Sequence, residues 1–150
     1  MSHSLRRAAG FTLAEILTAL IVVVVLGALA VPMWRTHLLR THRGDGRAAL
    51  IAAQSAQDKF FGAHARYASG TEVEAPPPQG LGLKPVSAHG YYRVEMKTSA
   101  DGLAFLATAR VTATEGKVED VRCVEMTLDQ NGRRRAVDES GEDRSGDCWR

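Results

Sequence analysis

The feature that most constrains this chain is an uncharged run of 19 residues, Ile16 to Trp34, that directly follows Glu15. At about 1.5 Å per residue, a helix of that length extends roughly 28 Å, which is enough to cross the hydrocarbon core of a bilayer. A carboxylate drawn into hydrocarbon costs about 2.5–3.5 kcal/mol on insertion scales, so Glu15 is expected to have a partner and a function. The run predicts one membrane-crossing helix with a functional carboxylate at its head.

The remainder of the 150-residue chain has the composition of one globular domain, with 45% hydrophobic and 24% charged residues in the whole sequence. These values exclude a disordered chain, a collagen-like repeat and a multi-spanning membrane protein. The net charge of +2 is unevenly distributed, because residues 1–10 carry +2, residues 35–66 carry +4 and residues 67–150 carry −3. The histidines are scattered, and no spacing is typical of metal ligands, a phosphate loop or an acid–base pair, so we expect no enzyme, no cofactor and no metal site.

Three interpretations of the N-terminal segment are open. A secretory signal peptide is indicated by Arg6 and Arg7 ahead of the apolar run and by Ala28-Leu29-Ala30 as a cleavage site. A simple membrane anchor needs only the apolar run. Neither a signal peptide nor a simple anchor explains the carboxylate of Glu15, and this favours a third interpretation. The stretch Ala-Gly-Phe-Thr-Leu-Ala-Glu-Ile-Leu, residues 9–17, closely resembles the N-terminus of type IV prepilins.

That resemblance implies a specific maturation. Prepilin peptidase cuts such chains after the glycine, here between Gly10 and Phe11, and the new N-terminal phenylalanine is then N-methylated. The freed amine of Phe11 would pair with Glu15 of a neighbouring subunit in the filament, since opposite charges attract strongly in a low-dielectric bundle. The family also has a proline that bends the membrane half of its long helix, and Pro32 fits that role.

One rule opposes the orientation that this maturation requires. Four arginines follow the apolar run closely, namely Arg35, Arg40, Arg43 and Arg47. Because only two precede it, positive-inside counting places the C-terminal part in the cytoplasm. The resemblance overrides that count, since the peptidase needs a cytoplasmic leader and a disulfide needs the opposite side. These neck arginines are expected to contact phospholipid headgroups or the acidic heads of neighbouring subunits, with nucleic acid as the alternative.

The helix is predicted to continue beyond the membrane through an alanine-rich stretch, residues 47–66. Its apolar face consists of residues at helical spacing, Ala49, Ala53, Ala56 and Phe60, with Leu50 and Phe61 at the margins. Gly44-Asp45-Gly46 is expected to be a weak point, because glycine destabilises helices. We therefore predict one helix from Phe11 to about Ala65, bent or melted between Pro32 and Gly46.

Four strands are predicted in the C-terminal part from alternation and turn signals, over Tyr91–Lys97, Leu103–Thr112, Val121–Leu128 and Arg133–Val137. Tyr92, Val94 and Met96 are expected on one face of the first strand. In the third strand Val124, Met126 and Leu128 are expected to face inward and Cys123 outward. The predicted fold class is α+β, a long N-terminal helix packed on a three- to four-stranded antiparallel sheet, which resembles the pilin head.

The two cysteines, Cys123 and Cys148, form an even pair behind an export segment, which usually means one disulfide in an oxidising compartment. The resemblance implies the same bridge, since PilE-type and minor pilins have one cysteine in a late strand and one near the C-terminus. Type II secretion pseudopilins share the N-terminus but usually lack the bridge, and they stay an alternative.

Arg133, Arg134 and Arg135 follow the Gly132 turn inside the region that this bridge would close. Some minor pilins of this branch resemble DNA-uptake receptors with a basic face there, and three arginines could neutralise phosphates. The alternative is a solvated hairpin arm beside acidic residues. The charge of −3 on residues 67–150 and the lack of an interleaved aromatic residue argue against DNA.

The resemblance thus implies a structural subunit, a minor pilin, of a type IV pilus (fimbrium), with a DNA-binding minor pilin for DNA uptake as the alternative. Its parts would be a leader (1–10), a transmembrane and filament-core helix (11–35), an amphipathic half-helix (36–66) and a disulfide-closed head (67–150). The implied partners are other pilin subunits, prepilin peptidase and the inner-membrane assembly machinery. The chain would be a single-pass inner-membrane precursor and then part of an extracellular pilus, serving adhesion, twitching motility, DNA uptake or assembly priming.

Overall fold

The computed structural model of the protein describes residues 12–112 and 120–150. The chain forms two compact units, one ending at His37 and the other extending from Leu38 to Arg150. Helix α1 (Leu13–His64) contributes residues to both. Its backbone is helical throughout residues 32–46, so the alternative of a melted segment there is not seen. A bend at Pro32 stays a prediction.

The first unit is the apolar part of α1. Leu13–Ala30 has a mean hydropathy of 2.6 and is long and apolar enough to cross a membrane. None of these side chains is buried within the protein. A helix that is hydrophobic on every side needs a lipid or protein environment, so this surface is suited to a membrane or to other helices.

The second unit contains a four-stranded antiparallel sheet in the order β1-β2-β3-β4. The strands are β1 (Tyr92–Thr98), β2 (Phe105–Val111), β3 (Glu125–Asp129) and β4 (Arg134–Val137), and a single helical turn, α2 (Ser145–Cys148), follows them. A short 3₁₀ helix, Gly70–Val73, lies between α1 and the sheet in the sequence. The α+β prediction and all four predicted strands are confirmed, although β3 begins four residues later than expected.

The core lies between the second half of α1 and one face of the sheet. The inward face of β1 alternates as predicted, with Tyr92 fully buried, and in β2 Phe105, Ala107 and Ala109 are buried. On α1 the predicted face is confirmed at Ala53 and Phe60, which are buried, but the buried face also extends to one side of it. Leu50 and Gln57 are completely buried, whereas Ala49 and Ala56 are only partly covered.

Gln57 extends the buried face beyond the predicted apolar residues. Its side-chain nitrogen donates to the carbonyl oxygen of Ala68 at 2.9 Å, and its Oε1 accepts from the Ala68 backbone N–H at 2.8 Å. A buried amide is tolerated when it is hydrogen-bonded in this way. Apolar periodicity alone could not place a glutamine in the core.

Gly46 is a site of close packing in α1, not the weak point expected from sequence. A Cβ at this position would lie 2.5 Å from Cε of Met126 and 2.9 Å from the ring of Tyr92. Glycine lets the helix backbone approach the sheet where a side chain would not fit. Asp45 beside it is buried, and its Oδ1 accepts from the backbone N–H of His89 at 3.2 Å.

The prediction that Cys123 faces outward is wrong. β3 begins only at Glu125, so Cys123 lies in the preceding turn and does not follow the alternation of the strand. Its side chain is completely buried. The hydroxyl of Tyr92 donates to its carbonyl oxygen at 3.3 Å, which anchors this turn to β1.

Candidate functional site

The predicted processing residues, Gly10 and Phe11, lie outside the described residues. Glu15 lies in the first turn of α1 and has a local partner. Its Oε2 accepts from the backbone N–H of Thr12 at 3.1 Å, and its own backbone N–H donates to Oγ1 of Thr12 at 3.3 Å. This reciprocal pair is a capping box, which satisfies backbone donors that a helix N-terminus leaves open. Its part in filament assembly stays a prediction.

Cys123 and Cys148 form the predicted disulfide, with 5.9 Å between their Cα atoms. Both cysteines are completely buried, and Cys148 ends α2. A loop of this size, with the cysteines 25 positions apart, contributes about 3–4 kcal/mol by loop-entropy arithmetic. The bridge holds the C-terminal tail against the turn that precedes β3.

Two of the neck arginines are engaged within the second unit. Arg43 donates from Nε to Oδ2 of Asp120 at 2.5 Å and from Nη2 to Oδ1 at 3.0 Å. The two side chains are only 12% and 3% exposed, and hydrogen bonding to Asp120 raises the pKa of Arg43. Arg47, one turn later, donates to the carbonyl oxygen of Arg150. Arg43 therefore fastens the head to α1 and is not a headgroup contact.

The same two contacts lie at the two ends of the disulfide-closed region. Asp120 is three residues before Cys123, and Arg150 is two residues after Cys148. Because Arg43 and Arg47 are four residues apart, they lie on one face of α1. The helix thus contacts both ends of this region, and the disulfide joins the two ends close to those contacts.

The three adjacent arginines do not share one surface. β4 is an edge strand, and successive side chains of a strand point to opposite faces. Arg135 lies opposite Thr127 on the outer face of the sheet, whereas Arg134 lies opposite the buried Leu128 on the helix side. Arg133 precedes the strand and lines an outer-face depression of about 600 Å³ together with Arg135, Glu125 and Asp129.

An aromatic side chain lies beside this edge, contrary to the sequence-based argument that none is interleaved there. The guanidinium carbon of Arg134 lies 5.3 Å from the centroid of the Trp149 ring. The indole N–H of Trp149 donates to the carbonyl oxygen of Arg135 at 3.0 Å. The disulfide brings Trp149 to β4, although the two are well separated in sequence.

The acidic residues of the C-terminal tail are largely paired elsewhere. Arg144 donates to Oδ2 of Asp138 at 2.9 Å and to Oε2 of Glu142 at 2.7 Å. Hydrogen bonds from Ser140 and Arg144 lower the pKa of Asp138. Arg122 pairs with Asp147 at 3.0 Å. Within residues 12–112 and 120–150, no ion pair includes Arg133, Arg134 or Arg135.

The profile of a family described as type IV minor pilin ComP, DNA uptake sequence receptor, matches residues 32–127, more than half of the chain. The chain belongs to this family of minor pilins. Among solved structures, the high-resolution structure of a type IV pilin from Shewanella oneidensis is similar at 22% identity. That match covers 63% of this chain and 88% of the other, with a TM-score of 0.42. No curated protein matches the chain.

The predicted type IV pilin family is therefore confirmed, as is the assignment to a type IV pilus as a minor pilin. The disulfide of this minor pilin also disfavours the pseudopilin alternative. Pilins are structural subunits in general, and the absence of an enzymatic activity stays a prediction for this chain.

Two residues of the minor pilin's site were missed from sequence, Asp120 and Trp149. Nothing in the sequence distinguishes Asp120 from the other acids of residues 67–150. For Trp149 there was a signal, since it directly follows Cys148 and the expected bridge had to carry it toward the sheet. The strand that it would contact depends on the fold of the tail, which periodicity does not give.

Proposed function

We propose that this minor pilin binds double-stranded DNA through β4 of its head and presents it on a type IV pilus. The observation that carries the proposal is that the arginines at this edge are exposed and form no ion pair within the described residues. Two acids of the C-terminal tail, Asp138 and Glu142, pair with Arg144 and not with Arg133, Arg134 or Arg135. The family description, a DNA uptake sequence receptor, supports the same chemistry.

Local charge decides this binding more than the net charge of −3 does. Fields of exposed charges are screened over about 8 Å at physiological salt, so a phosphate responds mainly to its nearest neighbours. Asp143 is the tail acid that acts on this edge, since hydrogen bonds from Ser145 and the charge of Arg135 lower its pKa. Within residues 12–112 and 120–150, neither Arg133 nor Arg134 forms an ion pair. On the outer face Glu125 and Asp129 lie beside Arg133 and Arg135, so the basic character of the edge is strongest at Arg134.

The alternation of the arginines suits a duplex backbone. With Arg134 on one side of the edge strand and Arg135 on the other, the guanidinium groups straddle the strand. They can contact successive phosphates that run along the edge. Three phosphate contacts give a log–log dependence of affinity on salt with a slope of about −2.7. Weak, steeply salt-dependent binding is the expected signature.

The test uses the full chain in detergent micelles and a fluorescently labelled duplex, with binding followed by anisotropy at about 50 mM salt. Replacing Arg133, Arg134 and Arg135 together by alanine is expected to weaken binding at least 30-fold, in line with several lost phosphate contacts. The matched control replaces Lys84, Arg93 and Lys97 by alanine, which removes the same amount of positive charge. These residues lie at the opposite edge of the sheet, beside or within β1. Equal losses in both variants, or no binding by the unmodified chain, would overturn the proposal.

Maturation and assembly form the second part of the proposal. We propose that prepilin peptidase removes the leader, residues 1–10, at the Gly10–Phe11 bond and that Phe11 is methylated. The apolar helix then leaves the inner membrane and enters the filament among other pilin subunits, through the assembly machinery. Glu15, whose capping box orients it at the helix start, receives the amine of a neighbouring subunit. Intact mass and N-terminal sequencing of the mature protein test this, since a chain starting after Ala30 would be an exported protein and no pilin.

A further inference from the structure

We propose that Trp149 positions the guanidinium of Arg134 as a pre-formed phosphate contact, so that Trp149 determines DNA affinity without itself touching DNA. This inference rests on the proposed function and identifies a positioning residue within it. Two observations support the inference. The indole of Trp149 is held by hydrogen bonds, and Arg134 lies over its ring whereas Arg133 and Arg135 do not.

The indole of Trp149 is fixed from several sides. Its ring N–H donates to the carbonyl oxygen of Arg135 at 3.0 Å, and its backbone N–H donates to the carbonyl oxygen of Ser145 at 3.2 Å. The preceding residue, Cys148, is buried and bonded to Cys123. The following residue, Arg150, accepts from Arg47 of α1. The ring is therefore a rigid platform at the edge of the sheet.

Arg134 lies over this platform with its guanidinium carbon 5.3 Å from the ring centroid, within the range of a cation–π contact. A cation–π contact engages the charge of the guanidinium and leaves the N–H donors that point away from the ring free to bind a second group. A phosphate oxygen pair matches that planar fork. The side chain is exposed, so an anion can reach it.

The neighbouring arginines have no such support. Arg133 and Arg135 line the outer-face depression, in which Glu125 and Asp129 also lie. Their charges act in a mixed field, and no aromatic ring holds either of them within the described residues. A long side chain held in its binding geometry loses less conformational freedom when it binds than a mobile one does. Arg134 is thus expected to contribute more to DNA affinity than Arg133 or Arg135 does.

The test compares Trp149→Leu with Trp149→Phe in the full chain, using the same duplex and anisotropy assay. Phenylalanine retains a ring face but lacks the indole N–H that bonds to the carbonyl oxygen of Arg135, so Trp149→Phe is expected to lose less affinity than Trp149→Leu, about 2- to 3-fold. Trp149→Leu is expected to lose about 5- to 10-fold, similar to Arg134→Ala, which loses a phosphate contact. The charge remains in Trp149→Leu, so its salt slope stays unchanged, whereas Arg134→Ala lowers the slope by about 1.

Two controls separate positioning from loss of structure. In an Arg134→Ala background, Trp149→Leu should cause no further loss, because its effect passes through Arg134. A full additional loss in that background, or wild-type affinity for Trp149→Leu in a folded chain with the disulfide intact, would contradict the inference.

A measurement without DNA keeps the two proposals distinguishable. ¹⁵N relaxation of the Arg134 side-chain Nε should show an ordered group in the free protein and a mobile one in Trp149→Leu. If the unmodified chain binds no duplex yet Arg134 is ordered by Trp149, the proposed function fails while the positioning holds. If Arg134 is equally mobile in both chains, the positioning itself is wrong.

Discussion

The protein has two groups of arginines that look alike in sequence and differ in use. The neck arginines Arg43 and Arg47 lie on α1, whereas Arg133, Arg134 and Arg135 lie at the edge of the sheet. Arg43 is almost buried and paired with Asp120, 77 positions away in the chain, and Arg47 bonds to Arg150. The edge arginines are exposed and carry no ion pair within the described ranges. One group holds the head together, and the other is available to a ligand.

The difference teaches that the net charge of a segment does not assign its partner. Residues 35–66 carry +4 and suggested a membrane or polyanion contact, yet two of their arginines are engaged by the head of the same chain. The edge strand belongs to a region of net −3, which argued against DNA at Arg133, Arg134 and Arg135, yet two acids of that region, Asp138 and Glu142, pair with Arg144 instead. Pairing in three dimensions decides which charges face a ligand.

The largest expected loss of stability comes from breaking the ion pair between Arg43 and Asp120, called the neck pair below. Asp120→Ala leaves the guanidinium of Arg43 without its carboxylate in a site where both side chains are nearly buried. Removing one partner of a buried pair costs about 3–5 kcal/mol, because the remaining charge stays desolvated. We expect the free energy of unfolding, measured by urea denaturation of the full chain in micelles, to fall by about this amount.

The matched control for that variant is Asp147→Ala. Asp147 also pairs with an arginine, Arg122, but the two side chains are 48% and 60% exposed. Exposed pairs contribute about 0–1 kcal/mol, so this variant should unfold almost as the unmodified chain does. Similar losses for Asp120→Ala and Asp147→Ala would mean that the neck pair is not a special anchor.

A smaller loss of stability is expected from adding a side chain at Gly46, where α1 approaches the sheet closely. In Gly46→Ala the new methyl group meets the side chains of Met126 and Tyr92 at 2.5 and 2.9 Å, so they must shift. Overpacking of this kind costs about 1–3 kcal/mol. Gly44→Ala, one half-turn away, meets only the end of Arg47 at 3.8 Å and should be neutral or stabilising by about 1 kcal/mol. Thermal melting of both variants checks the contrast, and equal shifts would contradict close packing at Gly46.

The sequence allowed the fold class, the strands and the disulfide to be predicted, because each leaves a local signal. Alternation marked Tyr92 and Met126 as inward-facing, and two cysteines behind an export segment indicated one bridge. It gave no access to Asp120 or Gln57, whose partners are set by tertiary contacts across the core. Arg134 was predicted as one of three equivalent arginines, and its singular position depends on Trp149, which reaches β4 only through the folded tail.

The smallest effect concerns an ion pair between Arg66 and Glu72 at the surface. Its exposure is intermediate between that of the Arg43–Asp120 pair and that of the edge arginines. Arg66 donates from Nη2 to Oε1 of Glu72 at 2.6 Å, with the side chains 44% and 28% exposed. Hydrogen bonds from Arg66 and from the backbone of Ser69 lower the pKa of Glu72 from 4.5 to about 2. The folded-state pKa lies below the unfolded one, so the pair stabilises the fold above about pH 4.5 and loses its contribution as the pH falls toward 2.

Glu72→Gln removes this titration and should make the melting temperature fall less steeply between pH 4.5 and 2. Part of the fall remains, since the pKa values of Asp101, Asp138 and Asp143 are also lowered by hydrogen bonds. The change is expected to be slight, because water screens an exposed pair. Arg66→Ala should flatten the curve in the same way, and adding Glu72→Gln to it should change little more. A larger effect here than from Asp120→Ala would reverse the order of the two pairs, and with it the conclusion that burial at the neck separates anchoring arginines from available ones.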